Sequence, residues 1–196
     1  MYKRQVFGTG AVGRVAAILL AKLGCNVMIV SPNPNRTDGE EYVTKLSDIL
    51  RDRYRVNVEG VFAPTPEKKT EVIKNADVIL CASVAGVRIV TNEMLTKVKL
   101  VKVIADVNAV PPLGVEGMKL KDDMREFIPG IFGIGPLTIG RLKYKLEREI
   151  LREARKNGKG TVYNYNYAME LARKILKGEI SAVKLAVTVS YPPKER

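Results

Sequence analysis

The sequence predicts an α/β protein: a doubly wound, mainly parallel sheet, followed by a C-terminal helical segment and a terminal strand. Three observations carry this. Short, β-branched apolar runs alternate with helical patterns from Tyr2 to Ile104. The runs are apolar through their centres, as in strands covered on both faces, rather than alternating as half-exposed strands do. A glycine-rich turn, Gly8-Thr-Gly-Ala-Val-Gly13, joins the first run directly to the first helical pattern.

The elements follow in order. Tyr2–Phe7 reads as the first strand. A helix from Ala11 to Leu23 presents Val12, Val15, Ala16, Leu19, Leu20 and Leu23 on one face, and Gly24 suits its end. Asn26–Val30 is the second strand. The loop Ser31-Pro-Asn-Pro-Asn-Arg36 leads to Thr37-Asp-Gly-Glu40, which has the spacing of a capping box. The helix behind it uses Val43, Leu46, Ile49, Leu50 and Tyr54. Val56–Phe62 is a weaker third strand. Thr65-Pro66-Glu67 opens a helix, a cap followed by a proline in the first turn. Asp77–Cys81 and Leu100–Ile104 are the fourth and fifth strands, with a short helix near Asn92–Lys97 between them. A Pro/Gly-rich loop spans Asn108–Gly117. A second glycine-rich stretch, Gly130–Gly135, leads into a long helix from about Leu137 to Lys156, and residues 164–177 form another. Ser181–Tyr191 alternates and reads as the terminal strand. The expected organisation is a dinucleotide-binding domain over 1–135, helices packing on it over 136–178, and a strand and tail over 179–196.

Composition narrows the chemistry. The 196 residues contain no His, no Trp, two Cys and a single Gln, Gln5. Without His there is no Ser-His-Asp triad, no Cys-His pair and no histidine-ligated zinc. Cys25 and Cys81 cannot build a disulfide framework or a four-thiolate metal site, so no metal is expected; their apolar surroundings predict buried, unreactive thiols. No apolar run approaches the ~20 residues of a membrane span, and the first residues lack a signal-peptide core. These features predict a cytoplasmic protein. The missing His, the lone Gln and 28% charged residues point to a thermophilic source. The net charge is +12, and residues 141–196, with 14 Lys+Arg against 6 Asp+Glu, hold eight of it. Those charges interleave with apolar and acidic residues, as on a solvated helix face. No nucleic-acid motif accompanies them, so nucleic acid is not the expected partner.

Gly8–Gly13 fits Gly-x-Gly-x-x-Gly immediately after a strand and at a helix start, the context that makes this motif specific. Gly8 permits the tight turn, Gly10 lets the backbone approach a pyrophosphate, and Gly13 lets helix and strand pack closely. The N–H groups from about Ala11 onward would meet the phosphate charge at the positive end of the helix dipole. An acidic residue at the end of the second strand would select NAD. Ser31 stands there, with Asn33 and Arg36 close behind, and a hydroxyl with a guanidinium suits the 2′-phosphate of NADP.

Two further segments carry a family resemblance. Asp106-Val-Asn-Ala-Val-Pro-Pro-Leu-Gly-Val-Glu-Gly117 resembles the loop after the fifth strand of the NADP-dependent methylene-tetrahydromethanopterin dehydrogenases. Phe132-Gly-Ile-Gly-Pro-Leu-Thr-Ile-Gly-Arg-Leu-Lys-Tyr-Lys-Leu146 is similar to that family's entry to its long helix. Gly8–Gly13 and Ala82-Ser-Val-Ala-Gly86 fall in register between them, and the likeness covers residues 1 to about 175. It implies a Rossmann-type domain that presents NADP to a one-carbon-loaded pterin, for hydride transfer from the methylene carbon to nicotinamide. Such a reaction needs no obligatory general acid or base, which is compatible with a site free of histidine. Position by position, it implies that Gly8, Thr9, Gly10, Ala11, Val12 and Gly13 hold the pyrophosphate and that Ser31, Asn33 and Arg36 meet the 2′-phosphate. Ala82, Ser83, Val84 and Gly86 would line the cofactor beyond the fourth strand, with Asn108 and Pro111 near the nicotinamide. Lys143 falls on a lysine the family places near the reaction site. Pro32 stands where the family carries a basic residue. The family's N-terminal pterin-binding domain has no counterpart in this sequence.

The expected function is therefore NADP-linked hydride transfer on a methylene-tetrahydropterin, in a homo-oligomer or with a partner subunit completing the site. The alternatives are a non-catalytic NADP-binding subunit or sensor, and a dehydrogenase of another small substrate, such as a shikimate-type polyol.

Overall fold

The computed structural model describes residues 2–98, 103–157 and 160–178. Two units divide the chain, Met1–Ile139 and Gly140–Arg196.

The first unit is a Rossmann-like α/β fold. Its strands are β1 (Lys3–Phe7), β2 (Asn26–Ser31), β3 (Val58–Phe62), β4 (Val78–Cys81), β5 (Val103–Asp106), β6 (Asp123–Ile128) and β7 (Ile131–Ile134). They form one sheet in the order β3-β2-β1-β4-β5-β7-β6, parallel except for the β6–β7 pair. Helices α1 (Ala11–Lys22), α2 (Gly39–Tyr54), α3 (Pro66–Ile73) and α4 (Asn92–Thr96) alternate with the strands. Strand order reverses between β3 and β4. Right-handed crossovers therefore put α1 and α2 on one face of the sheet and α3 and α4 on the other. The largest core lies on the second face, where Phe7, Val30, Ile79 and Ile104 of the sheet meet Ile73, Met94 and Leu95 of the helices. Burying such side chains is worth about 1.5–3 kcal/mol each before chain entropy is counted.

Several expectations are corrected by packing. The capping box at Thr37 does not form: α2 starts at Gly39, its N-cap is Asp38, and no side chain caps it. The Gly39–Phe62 contact accounts for this register, because a Cβ at 39 would overlap the Phe62 ring. Thr65 does cap α3, its hydroxyl accepting from the Lys68 N–H at 3.3 Å. The buried residues of α1 are Gly13, Ala17 and Ile18; of the expected face, Ala16, Leu19 and Leu20 are half-buried, whereas Val12, Val15 and Leu23 are exposed. The fifth strand runs Val103–Asp106; the residues assigned to it at 100–102 lie outside the described residues, as does the expected terminal strand at 181–191. The glycine-rich stretch before the long helix is itself a strand, β7, paired with β6 through a Pro129-Gly130 turn in which Gly130 takes φ +78°. Cys81 is buried, whereas Cys25 is only half-buried.

The long helix α5 (Pro136–Asn157) starts in the first unit and is the main element of the second, with α6 (Tyr165–Leu176). Asn164 caps α6, its Oδ1 accepting from the N–H groups of Asn166 and Tyr167 at 3.0 and 3.2 Å. Tyr163 and Tyr167 meet edge to face, centroids 5.0 Å apart. No helix among the described residues is long and apolar enough to cross a membrane.

Candidate functional site

In a doubly wound sheet the ligand crevice lies beyond the strand C-termini, where strand order reverses. Here that point falls between β1 and β4, and the loops after them touch. Gly8 takes φ +124°, and a Cβ on it would overlap the Ala82 carbonyl. A Cβ on Gly13 would overlap the Gly8 carbonyl. Both glycines are therefore demanded by the fold. Gly10 is different. Its backbone is an ordinary extended one, φ −75° and ψ −176°, and a Cβ there would meet nothing within 4 Å. Among the described residues nothing crowds this position, and the missing side chain leaves a notch of open space.

That notch opens on the N-terminus of α1. Gly10 is the N-cap, no side chain caps the helix, and no acidic residue sits in its first turn. N–H groups without a side-chain cap and the positive end of the helix dipole thus face a notch where an anion can approach. Ala11 and Val12 form its helical side, and Thr9 its turn.

Beyond β2 the structure brings together residues that the sequence reading did not connect. Arg36 lies over the Tyr42 ring, its guanidinium carbon 3.7 Å from the centroid, and pairs with Asp38 through contacts of 2.9 and 3.2 Å. Arg14, one residue past the last fingerprint glycine, donates Nε to the Thr9 carbonyl at 2.7 Å and Nη2 to the Tyr42 hydroxyl at 3.2 Å. Two guanidinium groups therefore converge on one phenol. Burial pushes the Tyr42 phenol up. Hydrogen bonds with Thr9 and Arg14, together with the charges of Arg14 and Arg36, outweigh that and hold it below the ordinary tyrosine value. The signal was present in the sequence as an arginine in the first turn of one helix and a tyrosine in the first turn of the next. Only the fold makes them neighbours. Ser31 closes β2 and is buried, its carbonyl accepting from the Ala63 N–H; Asn33 Oδ1 accepts from the Asn35 N–H and shapes the turn leading to Arg36.

The loops after β4 and β5 make the far end of the crevice. Ala82 donates its N–H to the Phe7 carbonyl at 2.7 Å. Asn108 donates Nδ2 to the Ser83 carbonyl at 2.8 Å, so the two loops are tied side by side. Val84 is exposed, and Gly86, at φ +75°, lies against Val110 and the Pro111 carbonyl. Lys143 belongs to the second unit, where its ammonium is 70% exposed and 3.5 Å from Glu147. A separate hollow of about 550 Å³ over β1, β2, β3 and α3 carries Lys3, Glu59, Glu71 and three asparagines. It is also lined by Val27, Met28, Val61 and Val72 and is not at the strand C-termini.

Comparison with known proteins agrees with this architecture. The alanine dehydrogenase/PNT C-terminal domain family matches residues 2–116. An NAD(P)-dependent methylenetetrahydromethanopterin dehydrogenase of Methylorubrum extorquens is 34% identical over 170 residues, covering 86% of this chain and 55% of that protein. The bifunctional protein MdtA of the same organism is 27% identical over 129 residues, covering 66% of this chain and 44% of its own length. The chain thus spans about half the length of the curated relatives it matches. Among solved structures, L-tryptophan dehydrogenase from Nostoc punctiforme aligns with a TM-score of 0.47 at 15% identity, over 90% of this chain and 43% of that one.

Proposed function

This chain belongs to the alanine dehydrogenase/PNT C-terminal domain family and is related to NAD(P)-dependent methylenetetrahydromethanopterin dehydrogenase, and on that footing we propose that it is the NADP-binding domain of a dehydrogenase acting on a methylene-tetrahydropterin. The observation that carries the cofactor reading is the notch at Gly10, the middle glycine of the fingerprint, opening on a helix N-terminus without a side-chain cap.

The N–H groups at the start of α1 would hold the pyrophosphate. Arg36, over the Tyr42 ring, and Arg14, at its hydroxyl, would take the 2′-phosphate, for which guanidinium is the best-matched side chain. Asp38 already pairs with Arg36, so the phosphate would have to compete for that guanidinium. Ala82, Ser83, Val84, Gly86, Asn108 and Pro111 would wall the nicotinamide end. Bound there, the cofactor supplies the hydride acceptor. The protein's share is to fix the approach of two carbons and keep water out. No proton relay is needed, which agrees with a chain that has no histidine. Lys143 is proposed to orient the pterin.

Calorimetric titration with NADP and with NAD tests the reading. NADP is expected to bind the tighter. Arg36→Ala should cost NADP about tenfold or more in affinity and leave NAD within about twofold, since about 1.4 kcal/mol per decade is less than one good charge-assisted contact supplies. Tighter binding of NAD by the wild-type chain overturns the NADP assignment. Lys143→Ala should lower kcat on methylene-tetrahydromethanopterin while leaving NADP affinity unchanged.

A further inference from the structure

The loops after β4 and β5 are held in register by one side chain that the cofactor reading does not use. Asp106 ends β5 opposite Cys81 and is fully buried. No Lys or Arg pairs with it among the described residues. Its carboxylate is instead held by backbone amides. Oδ1 accepts from the Asn108 N–H at 3.0 Å and Oδ2 from the Gly114 N–H at 2.7 Å. These amides come from the two ends of the 107–114 loop, so the carboxylate closes that loop as a staple closes a ring.

The effect passes to the neighbouring loop through Gly114. Its N–H is spent on Asp106, and its carbonyl accepts from the N–H groups of Ile89 and Val90 at 2.8 and 2.9 Å. Glu116 N–H returns to the Val90 carbonyl at 2.9 Å, and Arg88 Nε reaches the Leu113 carbonyl, also at 2.9 Å. A Cβ at Gly114 would come within 3.1 Å of Asp106 Oδ2, a fit with no slack. Asn108, whose N–H rests on Asp106, is the residue whose amide bonds Ser83.

We propose that Asp106 is a positioning residue, registering the β4 and β5 loops as a single wall for the nicotinamide half of the cofactor. This rests on the NADP reading above. Burial pushes the Asp106 carboxyl above the ordinary aspartate value despite the amides around it. A raised value means the ionised form costs folding stability at neutral pH, so loop geometry and not overall stability is what the group provides.

The test separates the two halves of the cofactor. Adenosine 2′,5′-bisphosphate carries only the adenine end, whereas NADPH carries both. Asp106→Asn keeps the size but turns a donor toward one of the loop amides. It should leave affinity for the bisphosphate within about twofold, weaken NADPH by about tenfold, and speed hydrogen exchange at Asn108 and Gly114. Gly114→Ala, which crowds the same carboxylate, should reproduce that split and serves in its place if Asp106→Asn does not fold. Variants that bind NADPH as the wild type does, or that lose both ligands equally, overturn the inference. Wild-type protein that binds neither ligand overturns the cofactor reading itself, and this inference with it.

Discussion

At the scale of single residues, the buried carboxylates are held by backbone amides and, at Asp122, by an arginine fork as well. Asp122 is buried, accepts from Arg125 Nε and Nη2 at 2.5 and 2.8 Å, and takes the Lys119 N–H at 2.8 Å. Burial pushes its carboxyl up, but the Arg125 fork, the amide and the nearby charges outweigh it and hold it below the ordinary aspartate value of 3.8. A lowered value in the folded state adds stability above the unfolded value, and that stability is lost as pH falls through the folded one. Asp122→Asn should therefore destabilise the protein by about 2 kcal/mol at neutral pH, the scale of a charge-assisted bond. Denaturant titrations of both proteins should show the gap closing as pH falls below 3.8. A gap independent of pH would remove the ionic explanation. Arg14 and Tyr42 show why part of the site was hidden at this scale. The glycine fingerprint and Arg36 are local in sequence and were readable. The Arg14–Tyr42 contact spans 28 residues and exists only because α1 and α2 pack on the same face of the sheet.

At the scale of elements, the alternation of strands and helices through β5 was legible because each strand is a short apolar run ending in turn residues. The β6–β7 hairpin was not. Its outer strand, β6, is half charged and half exposed, and Gly133 and Gly135 in the sequence look like loop rather than strand. The start of α2 was misread because a capping pattern is weaker than an aromatic ring packed where a glycine leaves space. The most informative miss is α1. Periodicity correctly marks an apolar stripe, but the sheet takes the small-residue side, Gly13 and Ala17, which allows close approach. Val12, Val15 and Leu23 remain 57%, 37% and 48% exposed. Val15 and Leu23 leave apolar surface on the outer side of α1. A second chain is the cover proposed here. Light scattering at micromolar concentration should give a mass above the monomer, and Val15→Lys should reduce it to 21.7 kDa. A monomeric wild type sinks the assembly proposal.

At the scale of the whole molecule, the high charge content of the chain is organised into many short-range pairs along helices, such as Glu41–Lys45, Glu93–Lys97 and Glu149–Arg152. Each is worth little alone at 25 °C, and such pairs gain weight with temperature as desolvation costs fall. With a composition so poor in His and Gln, the thermal midpoint should lie above the mesophilic range of about 45–65 °C, as calorimetry can measure; a midpoint inside that range would remove the thermophilic reading. One feature of the crevice also has an optical consequence. The chain has eight tyrosines and no tryptophan, so no indole emission overlays that of the phenols. Tyr42 has one guanidinium over its ring and another at its hydroxyl, and both favour its ionisation. A phosphate entering there would neutralise part of that positive field, so the phenol would hold its proton to higher pH. Ultraviolet difference spectra would then record the arrival of the 2′-phosphate as less tyrosinate absorbance at a fixed alkaline pH. The protein carries its own chromophore for the step on which cofactor choice turns.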